Sequence, residues 1–296
     1  MGWRKCEMEN MEKLNLRKLQ YFKFNSALLR NLLSLRFRED HFYRIPFGAI
    51  SGSKLYYRKD INFHAMMGVW EKESLRVLNR VIYRFGLNQP GKVIADVGAN
   101  IGYYSIFFSK YLDPSAQIFA FEPSLEILPV LRKNLVINNI SNVKILDLAC
   151  ADHTGRDEFF IAEHHHESSL LKDWSNNATT GTKTVVATIT LDDFFEKFNQ
   201  NRYPDLIKMD IEGGGIYALK GCTRCITKNR PFILIESHNS AEDEAVSHVL
   251  QQFNYEAYRS TNDKWIIHKD RNYSDPDGVW GTMLLMPAER KTDFIH

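Results

Sequence analysis

The chain has 296 residues, 44% hydrophobic and 25% charged, with a formal net charge of +2. That is ample for a buried core in one large domain or two small ones, and too little basic excess to argue for a nucleic-acid or membrane surface. The four cysteines, Cys6, Cys150, Cys222 and Cys225, are too few for a disulfide scaffold of this size, so a reducing, cytoplasmic setting is expected.

No apolar run reaches the roughly 18 residues of a membrane span. The first residues, "MGWRKCEMENMEKLNLRKLQYFKF", lack the apolar centre of a secretion signal, and no Ser or Thr stands where a myristoylation signal needs one. Within this basic stretch "SALLRNLLSLRF" reads as a helix. "IPFGAISGSKLYYR" reads as a short hairpin around Ser-Gly-Ser. "EKESLRVLNRVIYRFG" places Leu75, Leu78, Val81 and Ile82 at helical spacing and ends on Gly86. Residues 1–90 are expected to form an extension packed on a main domain of residues 91–296.

From residue 91 the pattern alternates. "KVIADV", "AQIFAFE", "NVKILDLAC", "DLIKMD" and "PFILIES" read as buried strands, and "YYSIFFSKYL" and "LEILPVLRKNLVINN" as helices between them. Strand–helix alternation predicts parallel βαβ units in an open, doubly wound, Rossmann-like sheet. Near residues 156–195 the pattern breaks: "RDEFFIAE" and "TKTVVATITL" read as strands of an insertion around a polar loop. "KWIIHKD" and "GTMLLMP" read as a closing strand pair.

Ligands of such sheets sit at the carboxyl ends of the strands, which makes "VIADVGANIGYYS" the first candidate site. A dinucleotide fingerprint needs a glycine where this chain has Asn100, and Asp96 would repel a pyrophosphate. An acid there suits a ligand with an ammonium group and no phosphate. Glu122, at the end of the next strand, suits two ribose hydroxyls. S-adenosylmethionine has both features.

"DVGANIGYYS", "FEPS", "LRKNLVINN", "ACADHTG", "TLDDF" and "LIKMDIEGGGIYALKG" follow one another in the order of FkbM-type S-adenosylmethionine-dependent methyltransferases. The sequence resembles that family over roughly residues 65–290, including "GVWEKESLRVL" ahead of the first strand. The resemblance implies a seven-stranded, mostly parallel sheet with a reversed last strand. It implies O-methylation of sugars, glycans or polyketide-like natural products. It also implies a cofactor site built from Asp96, Gly98, Ala99, Asn100, Gly102, Tyr103, Ser105, Glu122, Pro123, Ala151, Asp152 and Asp210. One departure stands out: the family usually has a further acid shortly after Asp-x-Glu-Gly, where this chain has Gly215.

Methyl transfer to a hydroxyl needs the nucleophile held in line and its proton accepted by a base. Asp210, ending "DLIKMD", is the first candidate. His238 is the second, because an unperturbed histidine accepts protons at neutral pH, and Glu212 and Glu236 stand beside them. Glu212 could instead cap the following helix, and Lys208 could face outward or pair locally. No metal is expected: His164, His165 and His166 would alternate faces on an extended segment, and Cys222-Thr-Arg-Cys225 has no second pair. The acceptor is expected to be a small molecule or glycan. An RNA methyltransferase and a non-catalytic S-adenosylmethionine-binding fold are the competing readings.

Overall fold

Val93–Val97 (β3) is buried at every position, as a strand covered by helices on both faces must be. The computed structural model describes residues 37–58, 63–162, 168–170, 179–261, 264–267 and 281–295. The helix expected over "SALLRNLLSLRF" and the triplet His164–His166 lie outside the described residues.

The described chain begins with a hairpin, His41–Arg44 (β1) against Lys54–Tyr57 (β2). The sequence placed its first strand at Ile45, but that strand ends just before it. Ile45–Ser53 forms the connection, closed by Ile45 N–H to the Ser53 carbonyl at 2.8 Å. Pro46, without an N–H, and Gly48, at φ 75, suit a turn and not a paired strand. Two helices follow, Phe63–Met67 (α1) and Lys72–Arg84 (α2).

The alternating part then runs β3, Tyr103–Tyr111 (α3), Gln117–Phe121 (β4), Leu128–Ile137 (α4) and Val143–Leu146 (β5). "NVKILDLAC" does not continue as one strand. Ala149–Cys150 (β6) leaves the main sheet and pairs with Thr179–Ile189 (β8), whose other partner is Gly155–Ala162 (β7). Leu191–Lys197 (α5), Leu206–Met209 (β9), Gly215–Lys220 (α6), Thr223–Asn229 (α7), Phe232–Ser237 (β10) and Ser240–Phe253 (α8) return the chain to the main sheet. It closes with Tyr255–Thr261 (β11), Lys264–Ile267 (β12), Gly281–Pro287 (β13) and Lys291–Ile295 (α9).

The main sheet has the order β12-β11-β13-β10-β9-β3-β4-β5. Strands β10, β9, β3, β4 and β5 are mutually parallel, and β13 is inserted antiparallel between β10 and β11. This is the expected seven-stranded sheet with its reversed strand, widened by β12 at the edge. "KWII" pairs with β11 and not with "GTMLLMP", because β11 lies between them. Strand order reverses between β3 and β9, so a crevice opens at their carboxyl ends.

Two apolar layers hold the sheet. On one face Leu55, Leu75, Leu78 and Ile82 from the residues before 91 pack in one cluster with Ile94, Phe107, Leu206 and Phe232. Each such side chain, fully buried, contributes about 1.5–3 kcal/mol. Asn134 of α4 ties this layer to the candidate loop. Its amide donates to the Ile101 carbonyl at 2.8 Å and its carbonyl accepts from Tyr56 N–H at 2.7 Å.

The "TLDDF" string is scaffold on the other face. Thr190 caps α5 by accepting from Asp193 N–H. The buried Asp192 accepts from the N–H groups of Arg224 and Cys225 at the start of α7. Cys222 and Cys225 are fully buried thiols beside it, raised above the ordinary cysteine value by burial.

Candidate active site

At the end of β3 the chain must turn sharply beneath a neighbouring strand. Gly98 sits at φ 72, and a Cβ there would lie 2.0 Å from the Asp210 carbonyl oxygen. Only a glycine lets the loop after β3 lie against the end of β9. Asn100 is also left-handed, at φ 49, and its side chain accepts from Ile101 N–H at 2.7 Å.

Glu122 closes over this loop from the end of β4. Its two carboxylate oxygens accept from Asn100 N–H at 2.8 Å and Ser124 N–H at 2.9 Å. Burial lifts its pKa to about 7 even though both N–H groups oppose that rise. Glu122 lines the cleft with Gly98, Ala99, Asn100, Tyr103 and Pro123. Beyond them stands an apolar wall of Ile127, Leu148, Ala149, Cys150 and Phe159.

Several expected cofactor residues lie elsewhere. Asp96 is fully buried beneath the loop and does not line the cleft. It accepts from Ser105 Oγ at 2.6 Å and lies 3.7 Å from Lys208 Nζ. It therefore meets a lysine of this chain and not a ligand's ammonium, and Ser105 is likewise an inner support. A Cβ on Gly102 would press on Leu131, so that glycine serves the loop–helix packing. Ala151 and Asp152 border a separate shallow hollow with His153 and Tyr217. From the same stretch, Ala149 and Cys150 reach the cleft instead.

The far rim carries the acids. Asp210 faces Lys208 Nζ at 3.8 Å through one oxygen and His238 Nε2 at 3.5 Å through the other. Glu212 and Glu236 stand 3.7 and 3.9 Å from the same Nε2. So the four residues expected to converge do converge. Burial works to lower the His238 pKa, but Glu242, Glu212, Asp210 and Glu236 overcome it and raise it to about 9. The premise of an unperturbed histidine therefore fails, and His238 is an imidazolium at neutral pH. Burial and the nearby Asp210 and Glu71 push Glu236 up to about 8.

This has a measurable sign. Glu236 and His238 hold protons more tightly folded than unfolded, where the ordinary values are 4.5 and 6.5. Their contribution to stability is therefore present at low pH and lost as pH rises through about 8 and 9. The thermal midpoint of the ligand-free protein should fall between pH 7 and pH 9. A midpoint that is flat or rising over that interval would contradict this electrostatic picture.

Lys208 does not face outward. It is 3% exposed, because β9 is a central strand with both faces covered. It donates to the Gly98 carbonyl at 2.8 Å and its Nζ lies 4.9 Å from the centre of the Tyr104 ring. Burial works to lower its pKa, but Asp210, Asp96, Glu236 and Glu71 outweigh that and keep it protonated. Trp70 and Glu71 also line the cleft, and sequence reasoning missed them. Glu71 accepts from Trp70 Nε1 at 3.1 Å, Ser74 Oγ at 2.9 Å and Tyr104 Oη at 3.2 Å. They precede α2, where no strand-end rule points to a site; "GVWEKESLRVL" was their only trace.

Among the described residues one group could present metal ligands: Asp210, Glu236 and His238, with donor atoms within 4.8 Å of one another. Linear spacing could not reveal it, since it joins two strand ends. No helix among the described residues is long and apolar enough to cross a membrane.

A mostly parallel sheet of this order with one reversed strand is the Rossmann-like α/β fold of the methyltransferase class. The model of the methyltransferase FkbM domain matches residues 96–260, more than half of the chain, and the chain belongs to that family. It is 28% identical over 154 residues to methyltransferase sdnD of Sordaria araneosa, covering 43% of this chain and 59% of that one. It is 25% identical over 186 residues to hexuronic acid methyltransferase AglP of Haloferax volcanii, covering 62% of this chain and 72% of that one. Among solved structures it resembles a methyltransferase FkbM from Methylobacillus flagellatus at 18% identity and a TM-score of 0.42, covering 76% of this chain and 55% of that one. The chain thus spans less than two thirds of the length of the first of these relatives.

Proposed function

We propose that the chain transfers a methyl group from S-adenosylmethionine to a hydroxyl of an uncharged sugar, glycan or polyketide-like acceptor. The observation that carries this reading is the pair of acids facing the crevice from opposite sides of the strand reversal. Glu122 crowns the glycine loop, and Asp210 stands at the other rim. Bound there, the cofactor would supply an electrophilic methyl group on a sulfonium.

The residues present fit that group. Each Glu122 oxygen spends one lone pair on a backbone N–H, of Asn100 or of Ser124, and keeps another for a ribose hydroxyl. The apolar wall from Ile127 to Phe159 suits a flat purine ring. Asp210 orients the acceptor hydroxyl and takes its proton as the oxygen attacks. His238, already protonated, steadies the carboxylate from the far side.

The charge of the rim supports the acceptor class. Glu71, Asp210 and Glu212 outnumber Lys208 and His238, and Glu236, pushed up to about 8, adds no positive charge, so a phosphodiester or a uronate would be repelled. This favours an alcohol over RNA, and it separates this chain from what the name of its hexuronic acid relative says of that protein.

Calorimetry with S-adenosylhomocysteine tests the cofactor assignment. Glu122→Ala removes a charged hydrogen-bond acceptor and should weaken binding by about 1.5–3 kcal/mol, while NAD should not bind. Tight NAD binding, or indifference to Glu122→Ala, would overturn the assignment.

A further inference from the structure

Glu242, in the first turn of α8, is fully buried. One of its oxygens accepts from Gly215 N–H at 2.9 Å, the other from His238 N–H at 2.7 Å. The second oxygen also lies 3.4 Å from His238 Nδ1. Asn239 caps α8 by accepting from Glu242 N–H at 2.8 Å, which fixes the backbone that presents this carboxylate. A Cβ on residue 215 would lie 2.7 Å from the Glu242 oxygen and 3.3 Å from Ile235 Cδ1. Any side chain at 215 would therefore compete with Glu242 for its place.

We infer that Glu242 is a positioning residue of this site: through the space left by Gly215 it holds the His238 ring with Nε2 turned toward Asp210, Glu212 and Glu236. The reading of that rim as the acceptor side, given above, is what makes the position matter for the reaction. Where the family resemblance leads one to expect an acid near residue 215, this chain sets the carboxylate of Glu242 against residue 215 from another helix. A carboxylate on one ring nitrogen settles the orientation of an imidazole and favours its charged form. His238 then acts as a built-in cation among three acids.

The titration of His238, followed by NMR on the full ligand-free chain, tests this. It needs neither methyl donor nor acceptor, so its outcome is separate from that of the methyltransferase reading. The parent imidazole should titrate near 9. Glu242→Gln, nearly isosteric, should lower that midpoint by about one to three pH units and leave S-adenosylhomocysteine affinity within a few-fold. Gly215→Ala, with Glu242 intact, should also lower it, because the added methyl displaces the carboxylate. An unmoved midpoint in folded Glu242→Gln overturns the proposal. If that variant fails to fold, Gly215→Ala decides, and a parental midpoint there overturns it. Heat of Mn²⁺ binding that Asp210→Asn abolishes would make His238 a neutral metal ligand, and would overturn the built-in cation as well.

Discussion

Gly98→Ala is expected to damage both stability and cofactor binding. The new methyl would lie 2.0 Å from the Asp210 carbonyl oxygen and 2.7 Å from Ile211 Cγ2, on a residue held at φ 72. The left-handed conformation alone costs an L-residue about 1–2 kcal/mol, and forcing the overlap apart costs about 1–3 kcal/mol more. Their sum, about 2–5 kcal/mol, lowers the thermal midpoint on the order of 5–15 °C. The strain falls between the glycine loop and the end of β9, so S-adenosylhomocysteine affinity should fall with it. Gly91→Ala is the control: it shares the positive φ, at 77, but a Cβ there would meet only the Arg202 side chain, at 4.0 Å. Equal midpoints for the two variants would show that the close approach of loop and strand is not limiting.

Asp210→Asn should be the most damaging change for turnover. The side chain keeps its size, so folding should be nearly intact, but it can no longer accept the acceptor's proton. General-base catalysis contributes about 10²–10⁴-fold, and kcat should fall by that factor against a sugar or polyketide alcohol. Affinity for S-adenosylhomocysteine should stay within a few-fold, since Glu122 and the glycine loop carry most of it. Near-normal turnover would end the base role given to Asp210. A loss confined to cofactor affinity would make Asp210 a cofactor ligand and end its catalytic role.

Periodicity alone exposed the strands that build this crevice. Four runs read as buried strands lie in the main sheet, a fifth gives it only the partly exposed β5, and the residues at three of their ends, Glu122, Asp210 and Glu236, meet at the cleft. A single strand-end rule was enough for that, since parallel strands bring their carboxyl ends to one edge. What the sequence left hidden shares one cause. Lys208 on a central strand, Asp96 beneath its own loop and Glu242 on a helix are all placed by tertiary burial, which leaves no period and no spacing behind. The charge on His238 was illegible for the same reason, because it is set by Asp210, Glu212, Glu236 and Glu242 together. "TLDDF" shows the reverse case. It is a strong signal of kinship, yet Thr190 and Asp192 cap helices and touch no part of the cleft.

The hairpin and α2 bear on what is inherited here and what folds. The matched family segment begins at residue 96, inside β3. Yet the apolar cluster on one face of the sheet joins Phe107 and Leu131 from within that segment to Leu55, Leu75, Leu78 and Ile82, well upstream of it. Asn134 of α4 also reaches back across that boundary to Tyr56 while supporting Ile101 in the candidate loop. The stretch that carries kinship is therefore not a self-sufficient body. Its lineage is written downstream of residue 96, and part of its shelter from water is written before it.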